Sequence, residues 1–177
     1  SYMAGYQTYI LDGYNVIHKS SLLRPIARAD FEAARAALAD KVAVFCTGTG
    51  KRAVIVFDGR GRYREEAAPS PPGVSGLQVL YAPSELSADA VIERHVYQAQ
   101  DRLNIVVVSN DRGLRDQCRH MGALTMEADH FIKSVRDVRR ENEEAINRAP
   151  RDNKGAHIED RISGDALEKL RQLRDRL

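Results

Sequence analysis

No apolar stretch in this chain approaches the roughly 20 residues that cross a bilayer, which sets it apart from integral membrane proteins. No secretory signal opens it; Ser1-Tyr2-Met3 reads as a short remnant ending in a start methionine. Cysteine is nearly absent. Cys46 and Cys118 stand far from any CxxC pattern, and no cysteine–histidine set has zinc spacing, which argues against a zinc centre. Both thiols are expected to be free and buried within helices, which points to a cytoplasmic setting. Missing too are G-x-x-x-x-G-K-S/T, G-x-G-x-x-G and G-x-S-x-G, so nucleotide-driven phosphoryl transfer, dinucleotide chemistry and acyl transfer lack their signatures. A charge excess is lacking as well: 27 basic residues face 25 acidic ones. If RNA binds here, local patches must hold it. No internal repeat is visible.

What is present is an ordinary globular composition, 43% hydrophobic and 29% charged over 177 residues, enough for one domain with a sizeable core. Within it one pattern recurs. Tyr9-Ile10-Leu11 runs into Asp12, Ala53-Val-Ile-Val-Phe57 into Asp58, and Ile105-Val-Val-Val108 through Ser109 and Asn110 into Asp111. Each reads as a buried strand that delivers a carboxylate to its C-terminal edge, where open α/β sheets bind their ligands. Gly13 lets the chain turn sharply after the first, and Tyr14 to His18 opens a short helix.

Between these strands, Lys19 to Arg28 reads as a loop with Pro25 as its breaker. Asp30 caps a helix whose stripe is Phe31, Ala34, Leu38, Val42 and Phe45, stopped by Gly48 and Gly50. Gly59 to Gly76 reads as a long irregular connection carrying Arg60, Arg62, Tyr63 and Arg64. Such a cluster grips phosphates and stacks on a base, or is a solvated loop with no partner. Leu77 to Tyr81 is a further strand. Ser87 then caps a helix to about Asp101, with Val91, Ile92, Val96, Ala99 and Leu103 on its buried side. Asp89 and Glu93 share a face of that helix, although acids near a helix N-terminus also simply complement its dipole. The Ile105 strand is expected centrally, buried on both faces. A helix from Asp111 turns Leu114, Cys118 and Met121 inward, with Asp111 open to a mere N-cap role. A turn and last strand follow at Gly122 to Met126, then a helix from Ala128 to about Arg148. Pro150 to His157 is linker-like, and Ser163 caps a closing helix striped by Leu167, Leu170, Leu173 and Leu177. From Lys133 onward 12 basic and 10 acidic residues are interspersed, which describes a solvated extension and not a basic tail.

The order of strands and helices predicts a three-layer α/β domain with a mainly parallel central sheet over residues 1–148. Residues 149–177 form a linker and a C-terminal helix packed on the same domain. Asp12, Asp58, Asp89, Glu93 and Asp111 would then converge at one end of the sheet. Bare carboxylates repel one another, and a divalent cation resolves that repulsion. Mg²⁺ or Mn²⁺ suits an all-oxygen donor set and keeps water for attack on a phosphodiester.

Asp12-Gly13-Tyr14-Asn15, Phe57-Asp58, Ala88-Asp89 with Glu93, and Ser109-Asn110-Asp111, in that order, resemble the NYN domain of PIN-like nucleases. The nearest likeness is to the YacP-like branch. It covers Tyr9 to Ile132 in its motifs and runs more loosely to Leu177. Each short motif is weak alone; the ordered set is specific. The resemblance implies a metal-dependent endoribonuclease acting on single-stranded RNA, with mRNA as substrate and the ribosome as a partner. Carried over residue by residue, Asp12, Asp58, Asp89 and Asp111 match the acidic quartet that holds the metal. Asn15 matches the asparagine that orients the first aspartate or touches substrate, and Glu93 a secondary acidic position. Asn110 and Arg112, flanking Asp111, join Arg60, Arg62 and Arg64 as candidate RNA contacts. One departure stands out. Gly59-Arg60 occupies the place of a small residue and a histidine, so that part of the pattern does not carry over.

Rival readings remain. A catalytically silent RNA- or ribosome-binding module would use the same fold. A receiver domain needs an acidic pair after its first strand, and a haloacid-dehalogenase-type phosphatase needs D-x-D there; only Asp12 is present.

Overall fold

The computed structural model describes residues 7–59, 66–68, 76–148, 168–169 and 171–174. Short β-branched runs make the strands, and longer stretches with apolar residues three and four apart make the helices. In chain order these are β1 (Thr8–Asp12), α1 (Gly13–Lys19), α2 (Leu23–Ala29), α3 (Phe31–Thr49), β2 (Arg52–Phe57), β3 (Glu66–Ala68) and β4 (Leu77–Tyr81). Then come α4 (Ala88–Gln98), a 3₁₀ turn at Arg102–Asn104, β5 (Ile105–Val108), α5 (Arg112–His120), β6 (Leu124–Met126) and α6 (Ala128–Asn147).

The strands form one six-stranded sheet in the order β3-β4-β2-β1-β5-β6. All neighbours are parallel except β3, which runs antiparallel along β4 at one edge. From β1 the chain moves outward to β2 on one side, and β5 later pairs with β1 on the other. The gap between the carboxyl ends of β1 and β5 is therefore the topological switch point, the place where such sheets bind ligands.

Two cores hold the layers together. Tyr9, Leu11, Ile55, Phe57 and Val108 pack against Ala34, Leu38, Val42 and Phe45 of α3 and Phe131 of α6. Ile10, Val56, Ile105 and Val107 pack against Val91, Ile92 and Val96 of α4 and Leu114 and Cys118 of α5. The alternation of strand side chains decides where the acids go. Asp12 follows Ile10, and Asp58 follows Val56, onto the α4/α5 face. Beneath β1 on the other face, Tyr9, Phe45 and Phe131 contact one another with ring centroids 5.3–5.6 Å apart. Edge-to-face and tilted pairs of this kind add about 0.5–1.5 kcal/mol each beyond their burial.

Four local expectations are corrected. Lys19 to Arg28 is not all loop, because α2 occupies Leu23–Ala29. Pro25 lies in the first turn of α2, where the N–H it lacks would have had no helical partner. Gly48 does not stop α3; the helix ends at Thr49, with Gly50 in the left-handed region at φ 72°. A Cβ at Gly48 would come within 2.9 Å of Val138 and Asn142, so glycine there permits the close crossing of α3 and α6. Within the long Gly59–Gly76 connection, Glu66–Ala68 forms β3. Finally, α4 stops at Gln98, and Leu103 is 72% exposed instead of buried. β5 is fully buried as expected, although it lies between β1 and β6 and not at the centre.

The linker-like stretch 150–157, Ser163, and Leu167, Leu170 and Leu177 lie outside the described residues. At 171–174 the chain is helical, and Arg174 reaches Glu143 of α6 at 3.7 Å, while its carbonyl accepts from Arg139.

Candidate active site

Asp12 ends β1 and, in the same residue, caps α1: one carboxylate oxygen accepts the Asn15 N–H at 3.4 Å. Its other oxygen accepts the hydroxyl of fully buried Ser109 at 3.1 Å. Parallel pairing explains the meeting, since Leu11 aligns with Val108 and the next residue on each strand is Asp12 and Ser109. Asp12 is 8% exposed. Burial pushes its carboxyl up from the ordinary value, the Asn15 and Ser109 bonds pull it down, and Asp58 and Asp111 push it up again. The turn into α1 is tight at Gly13, where a Cβ would press into the Phe57 ring.

Asp58 follows β2 and accepts the Ala88 N–H at 3.1 Å, which brings it to the first residue of α4. Ser87 caps the same helix through Ala90. Asp89 is next along and half-buried. Its carboxyl is pushed up to about 6 by burial, then by the charges of Asp12 and Asp111, a hydrogen bond with Asp111, and Glu93. Asp111 caps α5 by accepting the Leu114 N–H at 3.1 Å. Glu93, one turn along α4 from Asp89, faces α5, where it and Asp89 help to hold the Cys118 thiol up at about 11, after burial, the larger cause. Thus Asp12 lies within electrostatic reach of Asp58, Asp89 and Asp111, and Asp89 within reach of Asp111 and Glu93. Helices α1, α4, α5 and α6 start at the carboxyl edge of the sheet, so their positive ends offset part of the repulsion.

Two asparagines latch the rim. The Asn15 side-chain oxygen accepts the Asn110 N–H at 2.7 Å. Asn110 in turn accepts the Ala128 N–H at 2.7 Å and donates to Asp129 at 3.1 Å, tying the β5–α5 loop to the start of α6. Both polar ends of Asn110 are thereby engaged in holding α6. Arg112 is highly exposed beside Asp111, with Asp116 at 3.9 Å. Arg60, Arg62 and Arg64 lie outside the described residues.

The donor chemistry fits a hard divalent cation: the convergent groups are carboxylates. Among the described residues no group of three or more His, Cys, Asp or Glu side chains is placed to hold a metal ion. Mg²⁺ keeps several waters and takes one or two carboxylates, so it needs no full protein cage. Three of the acids also cap helices, so the bland role is real for each, and only their convergence asks for more.

Three participants escaped the sequence reading as site residues. Ser109 touches Asp12 directly; it opened the Ser109-Asn110-Asp111 motif, but nothing in the sequence assigned its hydroxyl a role. Arg115 donates to the Ser109 carbonyl at 3.0 Å and lies 3.8 Å from Glu127. Asp129 receives Asn110, a pairing 19 residues apart that no local spacing announces.

The profile of the YacP-like NYN domain family matches residues 9–175. Among solved structures, a mutant of Rae1 (YacP) from Bacillus subtilis is similar at 22% identity and a TM-score of 0.70, over 97% of this chain and 99% of that one. A second Rae1 (YacP) structure from the same organism is similar at 22% identity and a TM-score of 0.65, over 95% and 94%. These likenesses bear on the fold. No curated protein matches the chain.

Proposed function

The chain belongs to the YacP-like NYN domain family, and from that premise we propose that it is a divalent-metal-dependent endoribonuclease cutting single-stranded RNA. Membership supports a nuclease-type, RNA-related role. What supports the finer reading is the electrostatic contact of Asp12 with Asp58 and Asp111 and of Asp89 with Asp12, Asp111 and Glu93, with Asp89 held up at about 6, first by burial. A cluster this repulsive is stabilised by a cation, and NYN/PIN-like nucleases generally use divalent metals.

Asp12, Asp89 and Asp111 would hold Mg²⁺ or Mn²⁺, with Asp58 and Glu93 at its margin. The bound ion would supply a nucleophilic water and charge stabilisation at the leaving oxygen. Ser109 and the Asn15 N–H fix the orientation of the Asp12 carboxylate. Asn15 and Asn110 hold the Ser109–Asp111 loop in register with β1. Arg112, with Arg60, Arg62 and Arg64, would contact phosphates and set affinity. We place mRNA as the substrate, the ribosome as the setting and the cytoplasm as the compartment, on the family resemblance. No helix among the described residues is long and apolar enough to cross a membrane.

The rival, a non-cutting RNA- or ribosome-binding module, draws on the capping duties that Asp12, Asp58 and Asp111 already perform. Incubation with end-labelled single-stranded RNA in Mg²⁺, Mn²⁺ or EDTA separates the two. Internal cleavage that EDTA abolishes supports the nuclease; binding without cleavage in either metal overturns it.

A further inference from the structure

Tyr14 lies on the first turn of α1, two residues past Asp12, and two residues of chain span at most about 7 Å. It is 46% exposed, whereas Val16 and Ile17, on the same helix, are buried. Those two residues pack the core, and Tyr14 is left at the rim. Yet its ring is braced. His18 meets it edge-on at 4.1 Å and 63°, and Phe31, the first residue of α3, at 5.5 Å and 35°. Phe31 lies under the Arg35 guanidinium at 5.0 Å, and that guanidinium also covers Phe57 at 5.6 Å and Tyr81 at 5.4 Å. The brace therefore continues inward to the end of β4 and to the end of β2, which Asp58 follows.

Exposure alone decides nothing, since Tyr97 is 68% exposed. Tyr97, however, lies near the C-terminal end of α4, away from the carboxyl edge, and Arg102 stacks on it at 5.5 Å. Tyr14, by contrast, is exposed two residues from Asp12, at the carboxyl edge of the sheet. An aromatic ring already held on two sides loses little freedom when a flat partner settles on it. Beside a phosphodiester-cleaving site, the flat partner available is a nucleobase.

Resting on the nuclease reading above, we infer that Tyr14, braced by His18 and Phe31, is a stacking platform for an unpaired base next to the scissile phosphate. The contact reads the presence of a base, with little regard to which one, because every base has a π-face. It favours unpaired RNA, since a base inside a duplex is already stacked on its neighbours.

The test uses the full chain in EDTA with a short single-stranded RNA carrying 2-aminopurine at each position in turn, and matching RNAs abasic at the same positions. Cleavage of unmodified RNA in Mg²⁺ and Mn²⁺ is followed in parallel. The parent and Tyr14→Phe are expected to quench 2-aminopurine at one position beside the cut. Tyr14→Ala is expected to lose that quench and to bind intact RNA about tenfold more weakly, while binding the RNA abasic at that position as the parent does. Its melting temperature controls for folding. A Tyr14→Ala protein that quenches like the parent, or loses affinity equally for intact and abasic RNA, overturns the inference while leaving cleavage standing. A parent that neither binds nor cuts RNA overturns the nuclease reading with it.

Discussion

Ser109 donates its hydroxyl proton to Asp12 across 3.1 Å while its oxygen accepts the Asp111 N–H at 3.0 Å. One buried hydroxyl thus joins the end of β1 to the start of α5. Its direction is determined by its neighbours. A backbone N–H can only donate, so the serine oxygen must receive it, and the serine proton is left for the carboxylate. The bond stabilises the ionised form of Asp12 against a burial that opposes it. Arg115, holding the Ser109 carbonyl, keeps the strand end in place for this exchange.

Ser109→Ala should therefore lower metal-dependent cleavage by about 10- to 100-fold, the usual cost of losing a partner that orients a metal ligand. With the Ser109 bond gone, the Asp12 carboxyl rises further, so the acid limb of the pH–rate profile should move to higher pH. Ser109→Thr keeps the hydroxyl and should recover much of the loss. An unchanged profile in the alanine variant would reduce Ser109 to a packing residue.

Asp89 gives a stability test with a definite sign. Its folded value of about 6 lies above the ordinary 3.8, chiefly through burial and then through Asp12 and Asp111. The native state thus binds this proton more tightly than the unfolded chain does. The stability so gained is fully present below the ordinary value and is lost as pH rises through about 6. In EDTA, the melting temperature of the parent should fall between pH 5 and pH 7 relative to Asp89→Asn, which has no carboxyl to titrate. Parallel curves for the two proteins would detach Asp89 from the cluster.

Much of this was legible in the sequence, for a physical reason. Strands and their terminal aspartates are written in local patterns: an apolar run, then Asp and Gly. The same locality explains the misses. Pro25 reads as a breaker by type, while its tolerance depends on standing in a first turn. Gly48 reads as a stop, while α6 crossing over it makes glycine useful inside the helix. Ser109 and Asn110 work through bonds to residues 97 and 18 positions away, Asp12 and Ala128, which no window around them contains. The resemblance gave roles to the candidate acids and Asn15, and it held Ser109 within a motif without giving its hydroxyl a role.

Two glycines at the rim should respond differently to a methyl group. At Gly13 a Cβ would press on the Phe57 ring and on Ile55, side chains able to shift, whereas at Gly59 it would collide with the Ala82 backbone carbonyl. Gly13→Ala should cost about 1–3 kcal/mol, as overpacking usually does. Gly59→Ala should cost more, because β4 must move before the methyl fits. Urea unfolding of both variants measures the order, and equal losses would mean that the β4 end yields easily.

Arg60, Arg62 and Arg64 follow Asp58 closely in the chain, and their proposed work is affinity. Replacing all three with alanine should weaken RNA binding and flatten its dependence on salt, since fewer counterions are released. The rate of cutting at saturating RNA should change little. A salt slope equal to the parent's would make this segment a bystander.

Asp12→Asn separates ligand from turn residue most sharply. Asparagine nearly preserves the shape, and its side-chain oxygen can still accept the Asn15 N–H that caps α1. Ser109 can adapt as well, because its oxygen has a second lone pair to accept from the new amide while it still receives the Asp111 N–H. If the work of Asp12 were only structural, the variant should fold and cut as the parent does. As a metal ligand, it should fold yet lose metal-dependent cleavage by orders of magnitude. Relief of repulsion with Asp58, Asp89 and Asp111 should leave the metal-free variant at least as stable as the metal-free parent. Mg²⁺ at a hundred times its dissociation constant stabilises a protein by about 2.7 kcal/mol through linkage alone. The parent's melting temperature should rise accordingly, and the variant's much less. A variant that cuts RNA at the parent's rate, or a parent indifferent to EDTA, would remove the metal from the reading and leave the carboxylates as helix caps.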